Sequence, residues 1–149
     1  MKIRLDIDDK LDEPEIAIRG RSSDVAKLQN AVLTAARTAQ KLTLLRDGRD
    51  YFVPTTSVLF FESVDGKTWV HTAAHIYEIR ARLCELEQTL PPTFARVSKS
   101  AILNTALAWS IRRNLAGPST VRFRGSHKQI SLSRSFYRSL MERLNANNS

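Results

Sequence analysis

The sequence predicts a mainly β protein with a few helices, of the α+β class. From Gln40 onward, short apolar stretches of strand length follow one another as far as Leu132. Asp-Gly pairs at residues 47–48 and 65–66 separate such stretches, and both residue types tolerate the positive φ that a tight hairpin turn requires. Helical periodicity is restricted to short segments beginning near Ser22, Ile79 and Ser133.

The first 38 residues predict a small β-β-α unit. Two runs, Lys2–Asp8 and Glu15–Arg19, alternate apolar and polar residues, as half-buried strands do. Ser22 or Ser23 can cap the helix that follows, because a serine hydroxyl accepts a hydrogen bond from an amide of the first turn. The apolar face of this helix consists of Val25, Leu28, Val32 and Ala35. The unit is short for an independent domain, so we predict an extension at residues 1–38, with an acidic segment at its centre, and a main domain at residues 39–149.

Two hairpins are predicted around the Asp-Gly pairs. Lys41–Arg46 and Arg49–Val53 flank the first pair, and Val58–Val64 and Lys67–Thr72 flank the second. An Asp-Gly pair between apolar runs is a strong signal for a two-residue turn. Within the second hairpin, Val58–Phe61 is almost continuously apolar, so this strand should be the best buried.

A helix is predicted after an extended segment at His75–Glu78. Its apolar face consists of Ile79, Leu83, Leu86 and Leu90, which recur at spacings of three and four. Pro91 and Pro92 end this helix, because proline lacks the amide that a continuing helix needs.

The last third predicts further strands and a terminal helix. Phe94–Val97 is expected as a strand, followed by a polar turn at Ser98–Ser100 and by another strand around Leu107–Arg112. Thr120–Arg124 and Lys128–Leu132 are expected to form a hairpin across Gly125-Ser126. The terminal helix follows Ser133, and its apolar stripe is Phe136, Tyr137, Leu140, Met141 and Leu144.

The positive charge is concentrated in the last 59 residues. The chain has a formal net charge of +8, but residues 1–90 carry 13 Lys and Arg against 14 Asp and Glu, a net of −1. Residues 91–149 carry 10 Lys and Arg against one acid, Glu142, a net of +9. Such a one-sided field attracts a polyanion, either nucleic acid or an anionic membrane surface, so this region is expected to be a binding surface.

Features of the whole chain predict a cytoplasmic protein. No stretch approaches the length of a membrane span, and the first residues lack the apolar run of a signal peptide, so we expect neither membrane insertion nor secretion. Cys84 is the single cysteine, which fits a reducing compartment. We expect no cofactor, because the sequence has no phosphate-cradling Gly-rich loop.

Three basic clusters fall at turns or element ends, where side chains are free to bind a ligand. The clusters are Gly66–Thr68, Arg96–Ser100, and a set at the C-terminal end comprising Arg124, His127, Lys128, Arg134 and Arg138. Lys and Arg neutralise phosphates, and serine hydroxyls donate to phosphate oxygens. Arg134, at the start of a helix, could present its guanidinium as a bidentate fork to a guanine edge.

Four segments resemble, in order and spacing over roughly residues 40–146, the LytTR DNA-binding domain of bacteria. These segments are Phe60–Ser63, Tyr77–Leu90, Phe94–Asn104 and Ile130–Tyr137. The resemblance implies short β-sheets that read duplex DNA through loops rather than a recognition helix. It implies base contacts from Lys67 or Thr68, from Lys99 and from Arg134. Phosphate contacts would come from Arg96, Ser98, Ser100 and Arg138, and the basic cluster adds His127 and Lys128.

The resemblance also implies a transcription regulator that binds as a homodimer to two repeated half-sites. Most members of the family carry an N-terminal receiver domain, and residues 1–38 are too few to form one, so control by a phosphorelay is not expected. We hypothesise that this extension, whose central segment is acidic, mediates dimerisation or docks a regulatory protein.

Other functions are less well supported by the sequence. A metal-dependent nuclease would need carboxylates inside the basic region, and residues 91–149 contain only Glu142, so we expect no enzymatic activity. His71 and His75 lack further ligands for a metal site, and Glu62 is expected as a structural hydrogen-bond partner. A non-specific nucleic-acid or RNA-binding module stays as an alternative, but it would typically expose aromatic side chains for base stacking. Trp69 and Trp109 are instead expected to pack inside the protein.

Overall fold

The computed structural model describes residues 4, 6–12, 15, 17–38 and 40–147. The chain divides into two units, residues 1–33 and 34–149. Helix α1, Ser22–Thr38, begins in the first unit. Its half-buried side chains at Val25, Leu28 and Val32 confirm the predicted face, while the side chain of Ala35 lies outside the described residues. The helix begins at Ser22, and the carbonyl of Arg21 accepts the amides of Asp24 and Val25, so the predicted cap at Ser22 or Ser23 lies one or two residues too late.

The two predicted N-terminal strands are not found among the described residues. Residues 4, 6–8, 15 and 17–19 form no strand, whereas Ile3, Leu5 and Ile16 lie outside the described residues. Asp8 forms a local turn instead: its carboxylate accepts the amide of Lys10 at 3.0 Å and its carbonyl accepts the amide of Leu11 at 3.3 Å. Such side-chain bonds compete with strand pairing, and an isolated pair of short strands is only marginally stable.

The second unit is mainly β, as predicted. In its described residues, a seven-stranded sheet has the order β2-β1-β5-β4-β3-β7-β6 and a three-stranded sheet has the order β10-β9-β8, with antiparallel pairing. The strands are β1 Lys41–Arg46, β2 Arg49–Pro54, β3 Val58–Val64, β4 Lys67–Thr72, β5 Ile76–Ile79, β6 Phe94–Ser98, β7 Ala101–Asn104, β8 Ala108–Arg112, β9 Ser119–Phe123 and β10 Gln129–Leu132. The helices are α2 Leu83–Thr89 and α3 Arg134–Asn147, and a short 3₁₀ turn spans Thr55–Ser57.

Both Asp-Gly hairpins are confirmed. Asp47 and Gly48 have φ of 51° and 74°, and Asp65 and Gly66 have φ of 52° and 78°. Two successive residues with positive φ define the turn whose twist matches that of the flanking strands. The third hairpin joins β9 to β10 through a longer loop in which Gly125 has a φ of 67°.

Helix α2 begins four residues later than the periodicity of apolar residues predicts. Ile79 belongs to β5 and pairs with Thr68 of β4, so sheet pairing takes precedence over helical spacing at this position. The helix begins at Leu83. Glu85 folds back there to accept the amide of Arg82 at 3.4 Å, which satisfies one of the free donors of the first turn.

Strand β7 was not predicted. Its four residues, Ala101–Asn104, are all buried between β3 and β6, so they show no alternation of apolar and polar residues. Asn104 donates from its side-chain amide to the carbonyl of Val58 at 3.0 Å and accepts the amide of Ala106 at 3.1 Å. These bonds join the end of β7 to the start of β3 and to the turn that follows β7.

The core lies in two clusters that share strand β3. Leu59 and Phe60 pack with β9, β10 and α3, while Val58 and Phe61 pack with α2 and the remaining strands of the seven-stranded sheet. The register of β3 shifts between Val58 and Phe60. This irregularity allows the adjacent residues Leu59 and Phe60 to belong to one cluster, while Val58 and Phe61 belong to the other. The four residues Val58–Phe61 are at most 4% exposed, but the last three residues of β3 are not buried. Strand β7 is buried along its whole length, with each residue at most 3% exposed. The prediction that β3 is the best-buried strand is therefore wrong.

Candidate nucleic-acid interface

Two turns lie side by side at one end of the strands of the seven-stranded sheet. Strands β3 and β7 are antiparallel neighbours, so the end of β3 lies beside the start of β7. The amide of Ser63 donates to the carbonyl of Ser100 at 2.8 Å, beyond the last paired residues. This bond holds the β3–β4 turn, with Lys67, next to the β6–β7 turn, with Lys99.

The start of helix α3 is held at the same place. The amide of Ser133, the residue before the helix, donates to the carbonyl of Val97 at 2.9 Å. Val97 immediately precedes the Ser98–Ser100 turn, so Arg134 begins its helix beside that turn. Residues 65–67, 98–100 and 133–135 therefore form one surface, which we call the three-loop edge.

Arg96 fixes the conformation of the β6–β7 turn. Its Nε donates to the carbonyl of Ser98 at 2.8 Å, its Nη2 donates to the carbonyl of Lys99, and its Nη1 lies 3.1 Å from Glu87 Oε1. The Ser98 hydroxyl also accepts the amide of Ser100 at 3.2 Å. Arg96 therefore acts on this turn as a positioning residue, while the side chain of Lys99 remains exposed.

Arg134 is exposed at the start of α3 and is held by a neighbouring loop. Its Nη2 donates to the carbonyl of Leu115 at 2.9 Å. The guanidinium of Arg113, just before that loop, lies 5.2 Å from the ring centre of Tyr137. Arg138 is exposed one turn further along α3. Arg113 was missed by the sequence argument, although the Arg112-Arg113 pair directly before a predicted loop was an available signal.

Of the two alternatives at the β3–β4 turn, Lys67 is exposed and Thr68 is buried. Thr68 lies in the sheet between its partners Ser63 and Ile79 and is only 7% exposed. Lys67 is exposed at the end of the turn, with its Nζ 6.0 Å from the ring centre of Trp69. The buried hydroxyl of Thr68 is therefore poorly placed to reach a base.

Lys128 is not brought to the three-loop edge. Its Nζ lies 3.4 Å from His71 Nδ1 and 3.3 Å from the carbonyl of His75. His71 is four residues from Lys67 along β4, about 13 Å at roughly 3.3 Å per residue. Burial lowers the pKa of Lys128, with the nearby Glu62 carboxylate opposing this effect. His127 is exposed in the same loop, so neither of these two predicted phosphate contacts joins the other site residues.

His71 joins Lys128 to Glu62 inside the protein. Its Nε2 lies 2.7 Å from Glu62 Oε1, and its ring stacks on Phe60 with 4.2 Å between ring centres. Burial is the main cause that lowers the pKa of His71, and the hydrogen bond to Glu62 only partly opposes it. With Lys128 donating to Nδ1, the neutral ring carries its proton on Nε2 and donates to Glu62. Glu62 is thus the structural hydrogen-bond partner that was predicted.

The two tryptophans differ in environment. Trp69 is half-buried, whereas Trp109 is 66% exposed on strand β8, at the edge of the three-stranded sheet. The guanidinium of Arg124 lies 4.7 Å from the ring centre of Trp109. The prediction that Trp109 packs inside the protein is therefore wrong. Trp109 and Ser110 are both exposed in β8, between the half-buried Ala108 and Ile111, where the register to β9 shifts.

No group of three or more His, Cys, Asp or Glu residues suited to a metal ion is present among the described residues. Over the same part of the chain, no helix is both long and apolar enough to cross a membrane.

Comparison with known proteins identifies the family of this domain. Residues 48–145 match the family model of the LytTr DNA-binding domain. The chain is 29% identical over 98 residues to an uncharacterized HTH-type transcriptional regulator of Staphylococcus aureus, and the match spans 66% of each protein. The fold is similar, with a TM-score of 0.63 and 24% identity, to the LytTr DNA-binding domain of a Bacillus cereus protein described as a methyl-accepting/DNA response regulator, covering 71% of this chain and 96% of that one. This chain belongs to the LytTr DNA-binding domain family.

Proposed function

We propose that this DNA-binding protein is a sequence-specific transcription regulator that reads duplex DNA through the three-loop edge. The observation that carries the proposal is a pair of backbone hydrogen bonds, from Ser63 to Ser100 and from Ser133 to Val97. They hold three basic segments, distant in the sequence, at one surface. Lys67, Lys99 and Arg134 are the proposed base-reading residues.

The chemistry of each position supports its proposed role. Arg134 has five N–H donors in a planar fork, and its bond to the Leu115 carbonyl uses one of them. The fork can therefore still match the two acceptors of a guanine edge. Ser98, Ser100, Arg113 and Arg138 surround the base-reading residues and are suited to phosphate oxygens.

The charge distribution supports a phosphate-rich partner. Residues 91–149, with a net charge of +9, supply two of the three segments of the edge. Neutralising phosphates with these side chains releases counterions, which gives an affinity that falls steeply with salt. The Staphylococcus aureus relative is named a transcriptional regulator, which supports the proposed role. Regulation by DNA binding needs no catalytic step, and we propose none for this chain.

The proposal includes binding as a homodimer to two repeated half-sites, in the cytoplasm. A single three-loop edge offers three base-reading side chains, and doubling the contacts lengthens the sequence that can be recognised. Residues 1–38 are the proposed place for dimerisation or for a regulatory protein, and deleting them should change the oligomeric state or the binding of such a partner. An unchanged oligomeric state together with unchanged partner binding would contradict this assignment.

A selection from random duplex DNA tests the proposed function. The enriched duplex is then titrated against a scrambled duplex at two salt concentrations, with Arg49→Gln as a control variant. Arg49 lies on β2, at the other side of the seven-stranded sheet from β6 and β7. We expect a repeated motif that binds far more tightly than the scrambled duplex. Equal, strongly salt-dependent binding to every duplex would contradict sequence-specific regulation.

One observation favours a second candidate, the binding of single-stranded nucleic acid. The exposed Trp109, with the guanidinium of Arg124 over its ring, is a surface on which a base could stack. Titration of Trp109→Ala with single-stranded RNA and with the selected duplex separates the two candidates. Loss of RNA binding with unchanged duplex binding would favour this second surface.

A further inference from the structure

We propose that the second unit binds a small carboxylate in a cavity between α2, β6 and α3. The cavity has a volume of about 240 Å³. Its wall is apolar at Leu90, Phe94, Ile102 and Phe136, and it is basic at Arg96 and Arg143. The chemical class that fits is a carboxylate on one aromatic ring or on a branched chain of similar size.

The size of the cavity sets the size of the ligand. Drug-sized ligands occupy pockets of roughly 300–1,000 Å³, so this cavity is too small for most of them. An enclosed apolar cavity of about 150 Å³ holds a benzene ring, so the volume of this partly open cavity is sufficient for one ring plus a carboxylate. Leu90 and Phe94 are each 7% exposed and Ile102 is 1% exposed, so they form a closely packed apolar floor beneath a cavity that is open on one side.

The charged groups of the cavity favour an anion. Two guanidinium groups, those of Arg96 and Arg143, face one carboxylate, that of Glu87. Arg143 donates from Nη1 to the carbonyl of Phe94, which fixes its position over β6. The bonds described above use three of the five N–H donors of Arg96 and one of those of Arg143. Donors therefore remain on both groups, and charge-assisted bonds to a carboxylate are among the stronger hydrogen bonds.

The cavity adjoins the three-loop edge through Arg96. The same guanidinium lines the cavity and donates to the carbonyls of Ser98 and Lys99. A carboxylate bound to the remaining donors of Arg96 would add negative charge beside a surface that attracts phosphates. The ligand should therefore weaken DNA binding, an expectation that rests on the proposed function.

Titration of the full chain with benzoate tests the site in the absence of DNA. Benzamide is the matched probe, because it has the same ring and lacks the charge. We expect saturable benzoate binding, with amide chemical-shift changes at residues 94–96 and 143, and at least tenfold weaker benzamide binding. Arg143→Gln should weaken benzoate binding about tenfold, while Arg49→Gln, outside the cavity, should leave it unchanged.

Equal binding of benzoate and benzamide, or wild-type affinity in Arg143→Gln, would overturn the site. A thermal melt of Arg143→Gln close to that of the wild type shows that the variant is folded. A second titration then measures the selected duplex with and without saturating benzoate, and we expect DNA affinity to fall about fivefold. Unchanged DNA affinity would overturn the coupling. Failure of the DNA selection would instead contradict the proposed function, because the benzoate titration uses no DNA.

Discussion

The Nε of Arg96 donates to the carbonyl oxygen of Ser98 at 2.8 Å, across the turn that carries Lys99. Together with the bond from Nη2 to the Lys99 carbonyl, this contact fixes the direction in which the turn presents its lysine. The planar guanidinium reaches both carbonyls and the Glu87 carboxylate from three separate nitrogens in a fixed plane, whereas the three donors of a lysine lie on one nitrogen.

Replacing Arg96 by lysine should therefore damage DNA recognition although the charge is kept. We expect affinity for the selected duplex to fall about tenfold, equivalent to ~1.4 kcal/mol, with a smaller change for a scrambled duplex. Fluorescence anisotropy with both duplexes measures this, and Arg49→Lys is the control. If Arg96→Lys bound the selected duplex as tightly as the wild type, Arg96 would be a simple phosphate contact.

Arg134→Ala tests the reading of bases. We expect a loss of about 1–3 kcal/mol on the selected duplex and a relaxed preference at one base pair, because a bidentate contact discriminates between bases. A repeated selection with the variant identifies the relaxed position. An equal loss on selected and scrambled duplexes would contradict a base-reading role.

Arg138→Ala tests phosphate binding from the same helix. Its loss should weaken binding to all duplexes by a similar factor and reduce the slope of log affinity against log salt by about one. Titrations at several salt concentrations measure that slope. A change confined to the selected duplex would assign Arg138 to base recognition instead.

The buried His71, between the partly exposed Glu62 and Lys128, predicts a dependence of stability on pH. The pKa of His71 is lowered below its ordinary value of 6.5, chiefly by burial, so the unfolded chain takes up the proton more readily than the folded one. This contribution to stability is present above pH 6.5 and is lost as the pH falls from 6.5 toward the lowered pKa. Urea unfolding between pH 5 and 7.5 measures it, and His71→Gln should show a flatter profile. A wild-type stability that does not change over this range would contradict the neutral state of His71.

Asn104→Ala should destabilise the fold. The substitution leaves the buried carbonyl of Val58 and the amide of Ala106 without their partner, which costs about 2 kcal/mol. Asn114→Ala is the matched control, because Asn114 accepts the amide of Ala116 at 3.0 Å in an exposed turn. Urea unfolding should show a loss below about 1 kcal/mol for the control. Equal losses of unfolding free energy in the two variants would show that burial does not increase the contribution of the Asn104 hydrogen bonds to stability.

Sequence patterns predicted the secondary structure correctly where neighbouring residues alone determine the backbone conformation. The Asp-Gly turns at residues 47–48 and 65–66 are confirmed, because these residue types tolerate positive φ at low cost and the signal depends only on adjacent residues. Such patterns fail where pairing between distant segments determines the secondary structure. Ile79 has helical spacing but pairs with Thr68, and β7 is covered on both faces and shows no alternation.

The candidate site could be predicted in part, by residue type and position. Lys67, Lys99 and Arg134 fall at predicted turns or at a helix start, and the structure places them in one surface. The sequence could not distinguish Lys67 from Thr68, because that choice depends on which side chain the sheet buries. It also could not foresee that Lys128 is held by His71, since that contact joins residues 57 positions apart.

Amide chemical-shift mapping on the selected duplex tests the central claim most directly. The account predicts that the largest changes fall at residues 65–67, 98–100 and 133–135, with small changes around Trp109 and Arg124. Changes centred on β8 and β9, with the three-loop edge unaffected, would contradict it.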